Sequence, residues 1–168
     1  MIKPYNILFL SSGSACRSQI AMGWCKWYGR PVYDIDSAGL TASGIDDYAI
    51  TVMKEIGIDI SDQRSQTVTD DMLRAADIVV TLCAVAHEQC PDLPPGINRE
   101  LWSLECPVIS DSMSEQGRLQ AYRLLRDDIK ARVIDLIARL NKMQCENLQP
   151  FPGSAAVEHA DTAAVELQ

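Results

Sequence analysis

The chain has 168 residues, 47% of them hydrophobic, 23% charged, with a net charge of -8. That length suits one domain with a tail and enough apolar residues to bury a normal core. The acidic balance, with no clustered Lys or Arg, argues against nucleic-acid and membrane partners, but leaves room for an anionic substrate in a local donor-rich pocket. No segment approaches the roughly 20 apolar residues of a spanning helix, and the short apolar run Ile7–Leu10 is no secretory leader, so a soluble, cytoplasmic protein is expected.

In chain order, Tyr5 to Leu10 reads as a buried strand and the small, polar Ser11–Ala15 as a loop. A helix runs from Arg17 to near Gly29, with Ile20, Ala21, Trp24 and Trp27 at helical spacing. Val32–Ile35 forms a second strand, and Ser37-Ala38-Gly39 is expected to turn the chain. A helix follows over Ile45–Ile56, with Tyr48, Val52 and Ile56 on one face, then a polar loop and a short helix over Met72–Ala76. Asp77–Leu82, β-branched and apolar, is the clearest strand. Cys83–Pro95 reads as a loop with three prolines, and Leu101 and Trp102 as a short fourth strand. Gln116–Met143 is a long amphipathic helix with Leu124, Ile129, Val133, Ile137 and Leu140 facing inward. This alternation predicts an α/β fold: a four-stranded parallel sheet with helices on both faces. Residues 1–144 make the domain. Residues 145–168, acidic and without Lys or Arg, read as a disordered tail.

Ser11-Ser12-Gly13-Ser14-Ala15-Cys16-Arg17-Ser18 links a strand to a helix start, where ligands bind in such folds. Successive amides and the helix N-terminus can converge on an oxyanion, Arg17 adds a planar fork, and Gly13 allows close approach. Ser12, Gly13, Ser14, Ala15, Cys16, Arg17 and Ser18 are therefore the candidate oxyanion-binding residues.

The run Leu10 to Gln19 resembles the signature loop of low-molecular-weight tyrosine phosphatases and thioredoxin-coupled arsenate reductases: Cys, five residues, Arg, Ser. Ser37-Ala38-Gly39, Met53-Lys54-Glu55, Gly57 to Ser61, Val79 to Cys83, Cys90-Pro91 and Leu93-Pro94-Pro95 resemble the reductase branch in particular. The resemblance covers Asn6 to Leu140 and implies the low-molecular-weight phosphatase fold. It also implies arsenate reduction through thiols, no bound cofactor, and thioredoxin as reductant. Cys83 and Cys90 match the second and third redox cysteines. Two catalytic positions depart from the family. Ser11 stands where the nucleophilic cysteine belongs, and a serine hydroxyl is a weak nucleophile without a base. Cys106 precedes Pro107 where the family has its general-acid Asp, with Glu105 the nearest acid. The two losses together favour natural divergence over a single replacement at Ser11. The candidate catalytic set is thus Ser11, Arg17, Cys83, Cys90 and Cys106, with Cys106 or Cys16 as a surrogate thiol.

The expected activity is that of an arsenate reductase-like protein binding arsenate or a phosphate-like oxyanion. The alternatives are a non-catalytic oxyanion-binding or regulatory module on the same fold, or a low-molecular-weight phosphatase. Met22 and Gln66 replace carboxylates that bind potassium in some relatives, so no potassium site is expected. Cys83, His87 and Cys90 do not have a standard zinc spacing, and no metal site is expected. His87 reads as a solvated loop residue, Cys25 as core, Cys145 as incidental, and Arg123, Arg126, Asp127 and Asp128 as the solvated face of the last helix. Trp24 and Trp27 read as packing residues, since no basic patch accompanies them.

Overall fold

A computed structural model describes residues 3–147. Nine elements follow one another: β1 (Tyr5–Ser11), α1 (Arg17–Tyr28), β2 (Tyr33–Gly39), α2 (Asp47–Lys54), α3 (Asp70–Ala75), β3 (Ile78–Thr81), α4 (Ala84–Glu88), β4 (Asn98–Leu101) and α5 (Glu115–Asn147). The four strands form one parallel sheet in the order β2-β1-β3-β4. The expected fold class is therefore the observed one. The strand order changes direction between β1 and β3, the crevice in which parallel α/β sheets place their ligands.

Strand alternation divides the core in two. Ile7 and Phe9 of β1 and Ile78 and Val80 of β3 face α1, α2 and α5, with Ile20, Trp24, Val52, Met53, Ile129 and Leu136. Leu8, Leu10 and Val79 face the other way, against Leu73 of α3 and Ala86 of α4. Helices thus cover both faces, as a fully buried parallel sheet requires. Asp46 caps α2, accepting from the amides of Tyr48 and Ala49, and Thr69 caps α3. Such caps satisfy amides that the first helical turn leaves unpaired. No helix among the described residues is long and apolar enough to cross a membrane.

Several expectations change. Ser37-Ala38-Gly39 does not turn the chain. It extends β2, because the segment pairs with Phe9-Leu10-Ser11 of β1 and is buried there. The Cys83–Pro95 segment contains the short helix α4, started by the Cys83 thiol accepting from the Ala86 amide. α2 is shorter than Ile45–Ile56, and Trp102 lies one residue beyond β4. Leu124 is 64% exposed, because the inward stripe of α5 runs through Tyr122, Leu125 and Ile129 instead. Arg126 is buried rather than solvated. Its Nη1 donates to Val52 O (2.9 Å) and Glu55 Oε2 (3.2 Å) at the end of α2, where carbonyls lack helical partners. Trp24 and Cys25 are core, whereas Trp27 is 61% exposed. Helix α5 runs through Cys145 to Asn147. The rest of the expected tail, residues 148–168, lies outside the described residues.

Candidate functional site

The backbone between β1 and α1 is turned with its carbonyls outward. Ser11 O accepts from Leu40 N, Ser12 O from Thr41 N, and Gly13 O from Ser43 N, all at 3.0 Å. Ala15 O accepts from Asp46 N (3.0 Å) and Cys16 O from Ile20 N (2.9 Å). Ser14 O accepts from the buried Gln19 side chain (2.9 Å). The amides have the opposite fate. Only Ser14 N donates, to Ser11 Oγ at 3.2 Å. Those of Ser12, Gly13, Ala15, Cys16, Arg17 and Ser18 have no acceptor among the described residues. No side chain caps α1, so its N-terminal amides and positive dipole end join the set.

Two residues make this arrangement possible. Ser14 has φ 49°, the one positive φ outside glycine among the described residues. This left-handed turn costs about 1–3 kcal/mol. It is held by Gln19 Nε2 donating to Ser14 Oγ (3.1 Å) and by Gln66 N doing the same (3.4 Å). Gly39, at the end of β2, lies directly under the loop. A Cβ there would stand 2.3 Å from Thr41 O, 2.5 Å from Ser14 N and 2.9 Å from the Gly13 carbonyl carbon. Neither Gln19 nor Gly39 is among the candidate residues that the sequence singles out. The signal for Gly39 was its place in Ser37-Ala38-Gly39, and for Gln19 its place directly after Arg17-Ser18.

Ser11 is buried at the base of the loop, 2% exposed. Its hydroxyl donates to Ser18 Oγ (3.0 Å). No histidine or carboxylate among the described residues bonds either hydroxyl, so neither has a general base. Arg17 spans the loop. Nη2 donates to Ser12 Oγ (3.1 Å) and Nη1 to Leu104 O (3.0 Å), which anchors the segment after β4 against the loop. Part of the expected anion-binding fork is thus engaged with protein acceptors.

The cysteines fall into three environments. Cys83 and Cys90 are both buried and join the same hydrophobic cluster on the α3–α4 face. Because Leu10 pairs with Thr81, Ser11 and Leu82 leave the sheet side by side, and Cys83 follows at once. Burial pushes the Cys90 thiol up, against the charge of Arg99. Cys106 is exposed and lines an open groove of about 440 Å³ with Leu104, Glu105, Val108 and Leu124. Cys16 sits at the helix start but is buried. Desolvation, then the Asp46 carboxylate and Cys106, push its thiol up, against the charge of Arg17. Cys25 is pushed up to about 12 by burial alone. Cys145 is exposed near the end of α5.

His87 is half-buried on α4, not in a solvated loop. Its Nδ1 lies 2.7 Å from Thr81 Oγ1. Gln66 donates through Nε2 to Asp36 Oδ1 (2.9 Å) and Ser37 O (3.0 Å), and Met22 is core. Among the described residues no three His, Cys, Asp or Glu side chains are placed to hold a metal ion.

Comparison with known proteins gives the family and the fold. The low molecular weight phosphotyrosine protein phosphatase family matches residues 6–146. An arsenate reductase of Bacillus subtilis is 41% identical over 127 residues, 76% of this chain and 91% of that protein. An arsenate reductase of Halalkalibacterium halodurans is 42% identical over the same shares. Among solved structures, an arsenate reductase in the phosphate binding state superimposes with a TM-score of 0.64 at 32% identity, covering 80% of this chain and 98% of that one. The thioredoxin-dependent arsenate reductase of Corynebacterium glutamicum gives 0.66 at 27%, covering 86% of this chain and 64% of that one. The YwlE arginine phosphatase of Geobacillus stearothermophilus gives 0.67 at 25%, covering 85% and 97%.

Proposed function

We propose that this chain, which belongs to the low molecular weight phosphotyrosine protein phosphatase family, is an arsenate reductase-like protein that binds a tetrahedral oxyanion in the Ser11–Ser18 loop. Cys83 and Cys90 would act as its thiol–disulfide pair, with thioredoxin as reductant. The observation that carries the reading is the loop itself. Six carbonyls are tied away while six amides have no acceptor among the described residues. Amides beside a helix N-terminus and a guanidinium match arsenate or phosphate in charge and shape.

Reduction of arsenate to arsenite takes two electrons. Two thiols supply them by becoming one disulfide, and their two protons leave with one arsenate oxygen as water. Cys83 and Cys90 suit this role because they share one hydrophobic cluster and flank a helix of five residues, a small unit to rearrange. Ser11 cannot open the redox step, so the loop lacks a thiol to attack the bound arsenate and pass its oxidation on to Cys83 and Cys90. A hydroxyl cannot form the disulfide, and this one donates to Ser18. That same bond favours a second reading, in which the loop binds the oxyanion and Cys83 and Cys90 carry no electrons. A phosphatase on the same frame also needs a nucleophile, and it leaves the Cys83/Cys90 pair without a task.

Titration calorimetry with arsenate and phosphate tests the loop. Arsenate-dependent NADPH consumption with thioredoxin and its reductase tests the relay, run on this chain beside Ser11→Cys. Binding by both chains, with turnover restored by Ser11→Cys, is the expected result. Turnover by the unmodified chain would move the attack to an exposed thiol, with Cys106 the first to substitute. Binding with no turnover in either chain would establish the second reading. Absence of binding would end both.

A further inference from the structure

We propose that Gln66 is a positioning residue for the oxyanion loop, whose side-chain amide takes the place of a monovalent cation between Asp36 and Ser37, so that the loop binds its anion without one. This rests on the oxyanion reading above and names what holds that site in shape.

The loop leans on the segment from Gln63 to Gln66. Gln66 N donates to Ser14 Oγ (3.4 Å), and Gln66 O accepts from Gly39 N (2.9 Å). One residue thus touches both the left-handed turn at Ser14 and the glycine beneath it. Its side chain reaches back to β2. Nε2 donates to Asp36 Oδ1 (2.9 Å) and to Ser37 O (3.0 Å). Both partners can only accept, so the end that faces them is the NH2 group, with a proton for each. Gln19 repeats the device at Ser14 itself. Its Nε2 lies 2.9 Å from Ser14 O, 3.1 Å from Ser14 Oγ and 3.1 Å from Arg64 O. Its Oε1 accepts from Gln63 Nε2 (2.8 Å), which fixes this amide the same way round.

A cation here would need those same oxygens, since hard cations are held by converging oxygen ligands. Two amide nitrogens already meet five of them. The family resemblance puts potassium-binding carboxylates at Met22 and Gln66, and neither residue fits an ion. Met22 is packed in the core and offers a thioether, while Gln66 turns donors toward Asp36 and Ser37. Ser37 Oγ is buried without a partner among the described residues. One neutral hydroxyl does not repay the dehydration of an ion. The amide is covalently attached and present in every salt, whereas a bound ion stabilises only in proportion to its occupancy.

The test uses the full chain at pH 8. Phosphate affinity by titration calorimetry, and Tm without phosphate, are measured in KCl, NaCl and choline chloride at equal ionic strength. The unmodified chain is expected to keep one Tm and a Kd constant within about twofold across the three salts. Gln66→Met keeps the length of the side chain and loses both donors, and its Kd weakens about tenfold in all three. Gln66→Glu puts an oxygen where the nitrogen stands, so two carboxylates and a carbonyl converge with no donor between them. That variant is expected to bind phosphate about fivefold more tightly in KCl or NaCl than in choline chloride, with a Tm about 2–4 °C higher. A residue that only fills space would not acquire this dependence on the cation. Tighter binding or a higher Tm of the unmodified chain in a metal salt overturns the proposal. So does a Gln66→Glu chain indifferent to the cation, or a Gln66→Met chain that binds phosphate as tightly as the unmodified one. Absence of phosphate binding in every chain ends the oxyanion reading, and the melts alone then decide whether the amide stands in for a cation.

Discussion

Replacing Gly39 with alanine tests the loop most directly. The residue touches no ligand in any reading and has an ordinary negative φ, so only its missing side chain matters. The new Cβ would meet Thr41 O at 2.3 Å and Ser14 N at 2.5 Å, both backbone atoms. Side-chain rotation relieves neither, so the loop itself must retreat, by more than the ~0.5 Å within which such donors must be held. Amide bonds to a charged ligand contribute about 1.5–3 kcal/mol each. Loss of two such bonds costs about 3–6 kcal/mol, or a phosphate Kd weaker by about 10²–10⁴. Overpacking adds about 1–3 kcal/mol of destabilisation, roughly 2–12 °C in Tm for a domain of this size. Calorimetric titration with phosphate and a thermal melt read both quantities. Gly117→Ala on α5 is the control, since its Cβ meets only the side-chain atoms Ser114 Oγ at 3.3 Å and Met113 Cε at 3.7 Å. Phosphate binding by Gly39→Ala within a few-fold of the unmodified chain would refute the reasoning. Equal losses in the two variants would do the same.

Gln19→Leu keeps the volume but strips the carbonyls of Ser14 and Arg64 of their side-chain donor, and Gln63 Nε2 of its Oε1 acceptor. About 2–4 kcal/mol of stability should disappear, measured by urea unfolding, with weaker phosphate binding as the loop loses its brace. A short iodoacetamide pulse at pH 7.5 should label the exposed Cys106 and Cys145 well before Cys16 and Cys25, whose thiols burial pushes up. Early labelling of Cys16 would favour it as the surrogate nucleophile. Arg123 holds the Glu55 carboxyl below the usual range, bonding it at 2.6 Å. Its contribution is therefore complete above the ordinary carboxylate pKa of about 4.3 and lost as the pH falls through the depressed folded value. Glu55→Gln should lower Tm at pH 7 and lower it less at pH 3.

Continuous apolar, β-branched runs reveal the central strands, and helical spacing reveals α1 and α5. β2 was harder. Its last residues, Ser37-Ala38-Gly39, are small and polar, and they form strand because β1 pairs with them and the loop packs over them. Helix α4 has five residues, too few for a periodic signal. Arg126 looked like surface because its role, donating to the carbonyl end of α2, depends on a helix more than 70 residues earlier. At the site, the loop was legible from its composition between a strand and a helix. The tertiary partners of Arg17, Ser14 and His87 were not, since Leu104, Gln66 and Arg99 arrive from distant segments.

A loop whose amides outnumber the acceptors the protein offers them also changes what stability means for this molecule. An oxyanion bound there as proposed becomes a component of the folding equilibrium. It adds RT ln(1 + [L]/Kd), about 2.7 kcal/mol when the anion is at a hundred times its Kd. That is a sizeable part of the 5–15 kcal/mol that holds a domain together. Melting temperatures taken in phosphate and in Tris would then belong to two different thermodynamic systems. The identity of the buffer anion becomes as much a variable of the experiment as its pH.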